Sequence, residues 1–246
     1  MIVKIDNSKK VGNDNIKILY PGKAIGSNDT GFATIGRIDQ AALNPGAFIA
    51  MHPHINDEIL SYFRSGKVKH TDSTGFSEYI TPARLMLMKA GNSFFHEEKI
   101  LDDSDRLEGL QIFIRPNQKD LIPEVQFYDL PTVYSENIWR LLAAPTNDAP
   151  LQLRSETWIY DIQINGEKQI EIPALPKKEL TLLLYVFQGA AIVNNSIVLN
   201  KGESILIKDE PTINIHSSQS EMVLFATDEQ STYFDGGMYS GNQNRN

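Results

Sequence analysis

Apolar positions along this chain come in short runs between turn residues, and helical periodicity is nearly absent. Ile16–Tyr20 leads to Pro21-Gly22. Ala33–Ile38 alternates in character and is followed by the Asn44-Pro45-Gly46 turn. Glu58–Phe63 ends at Arg64-Ser65-Gly66, Lys67–His70 at Asp72-Ser73-Thr74-Gly75, Leu85–Met88 at Ala90-Gly91, and Leu110–Ile114 at Arg115-Pro116. Many short strands at regular turn spacing predict an all-β fold, a sandwich, barrel or jelly roll. Asn117–Pro131 breaks the rhythm and contains Pro123 and Pro131. Strand-like runs then resume at Ile138–Ala143, Thr157–Ile164, Leu180–Phe187, Ala191–Val193, Ser204–Ile207 and Met222–Ala226. This pattern predicts a first domain over 1–120, a linker over 121–132, a second domain over 133–230 and a tail over 231–246. The tail is rich in Gly, Asn and Ser, and its end is expected to be loosely held.

The two halves are weak repeats. Glu58-Ile-Leu-Ser-Tyr-Phe-Arg-Ser-Gly66 parallels Thr181-Leu-Leu-Leu-Tyr-Val-Phe-Gln-Gly189, and Thr81–Met88 parallels Asn200–Ile207. A period this long means duplicated domains rather than a solenoid.

Candidate chemistry is concentrated in Gly46–Glu98, where two short clusters, His52-Pro-His54 and His96-Glu97-Glu98, hold three of the five histidines. Residues two apart on a strand share a face. His52 and His54 therefore point into one space, and His96 and Glu98 have the same spacing. Two strands that each offer two donors can converge on one ion. Three imidazoles and a carboxylate suit a divalent transition metal such as iron, manganese, nickel, copper or zinc. Placed on the repeat, the second half has Leu175 and Lys177 opposite His52 and His54, and Ile215 and Ser217 opposite His96 and Glu98. It carries the architecture without the donors. His216 falls one residue off the register and reads as structural. His70 precedes a turn on a charge-rich strand and reads as part of a solvated face.

Composition narrows the options. The chain has 246 residues, 41% of them hydrophobic, with no cysteine and a net charge of −8. The charge argues against sequence-independent nucleic-acid binding and against an anionic membrane surface. Without cysteine any metal must be held by nitrogen and oxygen, which fits a cytoplasmic protein. No apolar run reaches the length of a membrane span, and the polar start, MIVKIDNSKKVGNDN, lacks the core of a signal peptide.

The spacing Gly46-x5-His52-Pro-His54-x3-Glu58-x7-Gly66 resembles the first cupin motif. His52–Gly75, Ala90-Gly91 with His96-Glu97-Glu98, and Leu107-Glu-Gly-Leu-Gln-Ile-Phe-Ile-Arg-Pro116 are similar to the pirin family in particular. The likeness is strong over Pro45–Pro116 and diffuse to about Asp228. The resemblance implies a bicupin, two antiparallel jelly-roll β-barrels packed face to face. It implies one metal, usually Fe(II), held in the first barrel by His52, His54, His96 and Glu98, with Glu58 outside the ligand set. It further implies quercetin 2,3-dioxygenase-like activity. In that reaction Glu98 takes a flavonol proton, O2 reacts, the central ring opens and carbon monoxide leaves. Asn56, Asp57 or Glu58 are expected to orient His52 and His54. Phe94, Phe95, Met86 and Met88 are candidates for the pocket wall, with plain core packing favoured for each. Other pirins act on a transcription factor or an enzyme as redox sensors, which is the alternative reading. A monomer is expected, because two barrels can cover one another. Three features depart from the family pattern. Met1–Thr30 lacks the usual aromatic segment, the Pro-Gly-Asp turn reads Pro82-Ala83-Arg84, and Phe94-Phe95 precede His96.

Overall fold

The computed structural model describes residues 1–245. Along the chain it forms β1 (Ile2–Ile5), β2 (Val11–Gly12), β3 (Ile16–Leu19), β4 (Ile35–Leu43), β5 (Phe48–His54), β6 (Glu58–Ser65), β7 (Val68–Asp72), β8 (Ser77–Ile80), β9 (Arg84–Lys89) and β10 (Phe94–Ile100). There follow β11 (Leu107–Ile114), β12 (Glu124–Asp129), β13 (Arg140–Ala144), β14 (Leu151–Gln152), β15 (Thr157–Glu171), β16 (Thr181–Val193), β17 (Ile197–Asn200), β18 (Ser204–Ile207) and β19 (Asn214–Thr227). Among the described residues the helices are one turn each, Pro21–Ala24 being the α-helical one. The strands group into two compact units.

The first unit contains Lys10–Val133 and the chain from Thr232 onward. It has a four-stranded sheet in the order β5-β10-β7-β8 and a seven-stranded sheet in the order β12-β9-β6-β11-β4-β3-β2. All its pairings are antiparallel, so one face of each sheet can be apolar while the other meets water. The core is shared between the sheets. Val68, Ile80, Phe94 and Ile100 come from the first; Ile59, Phe63, Met86, Met88, Leu107 and Phe113 come from the second. Burying each such side chain contributes about 1.5–3 kcal/mol.

The second unit contains Met1–Lys9 and Tyr134–Ser231. Its sheet runs β1-β18-β16-β19-β15-β13-β14, with β17 on β16. Its interior is continuously apolar, from Trp158, Ile162 and Ile164 through Leu182, Leu184 and Val186 to Met222, Leu224 and Ala226. Ile215 and Ser217, the counterparts of His96 and Glu98, face this interior, while His216 points outward to Glu167.

The boundaries differ from the sequence reading at three places. The stretch 121–132 contains a strand: Val125 and Phe127 on β12 pack on the first unit's core while its backbone pairs with β9. Two prolines flank that strand and mask it in the sequence. Residues 1–9 belong to the second unit, because β1 pairs with the edge of β18 from Ile2↔Ile207 to Ile5↔Ser204. The tail is anchored rather than loose over 234–245, and Asn246 lies outside the described residues. Ser240 and Asn242 are buried, and the Ser240 carbonyl accepts from Arg115 Nε at 2.9 Å. Its Gly/Asn/Ser composition supplies backbone groups, and buried side chains of the first unit satisfy them.

Candidate metal centre

The centre follows from strand alternation. On β10, Phe94, His96, Glu98 and Ile100 are buried while Phe95 and Lys99 are not. Two of four inward positions on a core strand are thus ionisable, where an apolar residue would be the ordinary choice. β5 pairs with β10 so that His52 lies opposite His96 and His54 opposite Phe94. Gly91 lets the chain enter β10: its φ is +55°, and a Cβ there would stand 2.1 Å from the Leu121 carbonyl oxygen. The β5–β6 turn is held against it by Asn56, in the left-handed region at φ +57°, which donates its N–H to the Gly91 carbonyl at 2.7 Å.

Nε2 of His52, His54 and His96 lie 3.0 Å from one another in all three pairings. Neutral imidazoles cannot satisfy three mutually facing lone pairs, so this cluster calls for a cation. Two nitrogens bonded to one ion at about 2.1 Å and at right angles stand about 3.0 Å apart; a tetrahedral angle gives about 3.4 Å. The three nitrogens therefore fit one face of an octahedral ion.

Each ring is oriented from behind, as metal-binding histidines require. His52 Nδ1 donates to the Ala50 carbonyl at 2.9 Å. His54 Nδ1 faces Asp57 Oδ2 at 3.4 Å. Of the three partners expected from sequence, Asp57 takes that role for His54. His96 Nδ1 lies 3.3 Å from His70 Nδ1, and His70 Nε2 bonds Asp72 Oδ2 at 2.7 Å. The expectation of a solvated His70 is corrected here: it is 0% exposed. Val68, His70 and Asp72 alternate inward on β7, a period-2 pattern the charge of the intervening Lys69 disguises.

Glu98 does not join the three-nitrogen cluster. It groups instead with His70 and His96, 4.0 Å from His96 Nδ1. Gln111 Nε2 donates to both its oxygens, at 3.1 and 3.0 Å. Burial pushes the Glu98 carboxyl up to about 7, against the opposing hydrogen bond from Gln111. Burial also brings His96 down to about 2, helped by His54, His52 and His70.

The histidines open on a cavity of about 340 Å³, at the small end of ligand pockets. Ile16, Ile49, Ile59, Phe113 and Tyr239 give it apolar walls. Glu98, Gln111, Arg37 and Asp39 give it polar positions. Phe94, Met86 and Met88 lie in the core, and Phe95 is exposed; none of the four lines this cavity. Glu58 is buried at the start of β6 and is not a lining residue either. Tyr239 is the wall residue the sequence hid most completely. Its ring centre lies 5.0 Å from that of His54, and its N–H donates to Asp57 at 3.0 Å. Asp57 thus orients His54 with one oxygen while both its oxygens receive the C-terminal segment.

Two β units, antiparallel except for the short β13–β14 pair, with His-x-His and His-x-Glu pairs turned into the first, define a bicupin. The chain belongs to the pirin family: residues 22–114 match the family described as Pirin, and residues 141–226 match the Quercetinase C-terminal cupin domain. It is 27% identical over 201 residues to a quercetin 2,3-dioxygenase of Escherichia coli, covering 80% of this chain and 84% of that protein. The crystal structure of YhhW from Escherichia coli superposes with a TM-score of 0.79 at 22% identity, covering 93% of this chain and 98% of the other. The nickel(II) complex of the bacterial pirin YhhW gives 0.77 at 22% identity, covering 92% and 99%. These similarities in structure establish the shared fold.

Proposed function

We propose that the chain is a metal-dependent dioxygenase that opens the central ring of a flavonol-type substrate with O2 and releases carbon monoxide. The observation that carries this reading is the triangle of Nε2 atoms from His52, His54 and His96 at the foot of an apolar cavity. The resemblance to quercetin 2,3-dioxygenases supports the substrate class. The nickel(II) complex of YhhW supports a divalent ion, and the family resemblance makes iron the first candidate. His52, His54 and His96 would hold the ion, and Glu98 would be its fourth ligand or stand beside it. A divalent ion there supplies Lewis acidity and a template for the substrate oxygen and O2.

The chain's own residues do the rest. Glu98 accepts the proton of the flavonol 3-hydroxyl as the carboxylate, the form a bound cation would favour against the upward push of burial. Gln111 fixes the carboxylate by bonding both oxygens. Phe113, Tyr239 and the isoleucines hold a flat ring and exclude water.

A second reading has its own observation. Phe48, Met51, Ile55 and Phe95 are exposed on the strands and turn that carry the histidines, and such a patch suits a protein partner. The test is anaerobic loading with Fe(II), Mn(II) or Ni(II), followed by quercetin and O2, with flavonol absorbance and carbon monoxide measured. Metal-dependent turnover is the expected result. Tight metal binding with no turnover of any flavonol would replace the enzyme reading with the partner-binding one.

A further inference from the structure

Past a bulge at its start, β4 turns Arg37, Asp39 and Ala41 to one side, and two of these three places are charged. Arg37 and Asp39 are paired: Arg37 Nε donates to Asp39 Oδ1 at 2.6 Å, and Nη2 donates to Oδ2. The side chains are only 14% and 5% exposed, yet both line the cavity that the histidines share. The guanidinium lies among three rings, 5.0 Å from the centre of Phe113, 5.3 Å from Tyr239 and 5.9 Å from Tyr20. Across the β4–β11 ladder Arg37 faces Phe113 and Asp39 faces Gln111. The pair is thus built into the wall and shares the Tyr239 ring with His54.

A buried ion pair contributes little net stability over well-packed apolar residues. Two such residues beside Ile16, Phe113 and Tyr239 in the cavity wall therefore point to recognition. Their chemistry is specific. The pair is neutral as a unit, and Asp39 and Glu98 already face the cavity, so a free carboxylate gains nothing there. A neutral hydroxyl gains twice, by donating to a remaining lone pair of Asp39 and by accepting from Arg37. An aromatic ring carrying it would lie along Phe113 and Tyr239.

We infer that Arg37 and Asp39 are specificity residues that read a phenolic hydroxyl on the pendant ring of the substrate. This rests on the flavonol reading above and makes it narrower: substrates hydroxylated on the pendant phenyl ring are selected over those that are not.

The test compares quercetin, which has two hydroxyls on its pendant phenyl ring, with galangin, which has none on that ring and is otherwise the same. Binding to the metal-loaded protein is measured without O2, so turnover is not needed. The expected result is that the wild type prefers quercetin by about tenfold to a hundredfold, the range for one hydrogen bond to a charged group. The ratio should fall to near one in Asp39→Asn and in the apolar double variant Arg37→Met/Asp39→Leu. A general loss of structure weakens both ligands alike and leaves the ratio alone, so the ratio separates recognition from folding. Equal binding of the two flavonols to the wild type overturns the inference while the flavonol reading stands. So does a preference that survives in both variants. Failure of the metal-loaded wild type to bind either flavonol overturns the flavonol reading and the inference with it.

Discussion

His70 sits directly behind His96, with Nδ1 facing Nδ1 at 3.3 Å. Because His70 gives its Nε2 proton to Asp72 at 2.7 Å, its Nδ1 is left to accept from His96. That fixes the His96 proton on Nδ1 and leaves Nε2 bare toward His52 and His54. Asp72 is pinned in turn, since its Oδ1 accepts from the Thr74 N–H and hydroxyl at 2.8 and 2.7 Å.

Loss of this relay should weaken the metal site without deleting a ligand. His70→Phe fills the same buried space with no acceptor, and Asp72→Asn loses the charge. Each is expected to lower affinity for Ni(II) or Mn(II) by about tenfold to a hundredfold, the usual cost of removing such support. Calorimetric titration measures it, and wild-type affinity in both variants would refute the relay.

Deleting a ligand is a harsher change. His96→Ala removes one corner of the nitrogen triangle, and both metal binding and flavonol turnover should be abolished. Glu98→Gln should instead keep most of the metal and lose turnover. Metal content by elemental analysis alongside carbon monoxide release distinguishes the two. Unchanged metal in His96→Ala would sink the assignment of the centre.

Acid should destabilise the metal-free protein. Burial lowers His96 to about 2 and also lowers His52 and His70 from their ordinary 6.5. As pH falls through 6.5 the unfolded chain takes up protons that the folded one refuses, so stability complete above 6.5 is lost progressively below it. Glu98 acts in the opposite sense, since its raised carboxyl is protonated in the fold first, between about 7 and its ordinary 4.5. One carboxyl against three imidazoles leaves a net loss, steepest below 4.5. Thermal melts of metal-free protein across this range should fall with acidification, and a flat profile would contradict the burial of the cluster.

The C-terminal segment should be part of the working site. Asp57 accepts the N–H of Tyr239 at 3.0 Å and of Ser240 at 2.8 Å. Asp57→Ala leaves those buried donors without a partner, at about 1–3 kcal/mol for each unsatisfied group. The variant is expected to melt earlier than the wild type and to lose metal affinity through His54. Tyr239→Ala, which keeps the backbone bonds, should melt nearly normally but bind flavonol less tightly. Wild-type flavonol affinity in Tyr239→Ala would remove that ring from the pocket wall.

The legible part of this site is the part written locally. His52 with His54 and His96 with Glu98 each lie two residues apart, and the period of a strand converts that spacing into a shared direction. The β rhythm and the donor-free second half could be read for the same reason. Tyr239 was out of reach, because it meets Asp57 from 182 residues away and nothing near it in sequence marks the contact. Arg37 lay inside the alternating run Ala33–Ile38 and Asp39 just past its end, where nothing local marks their side as inward. Only the opposite strand β11 shows which face is inward. Gln111 left a small trace, a lone polar residue in the apolar run Leu110–Ile114, but the same trace marks many solvent-facing positions. The β12 strand was missed because proline punctuation on either side outweighed the alternation of Val125 and Phe127.

The exchange of chain ends between the two units sets the order in which the molecule can be completed on the ribosome. Residues 10–133 emerge with all three histidines and Glu98, yet the Tyr239 wall and the backbone amides that hold Asp57 follow only after the whole second unit. The histidine cluster is therefore synthesised early and walled in late. A nascent chain stalled between the units exposes an open, half-supported set of donors, and a severed pair of halves would each lack a piece that the other carries.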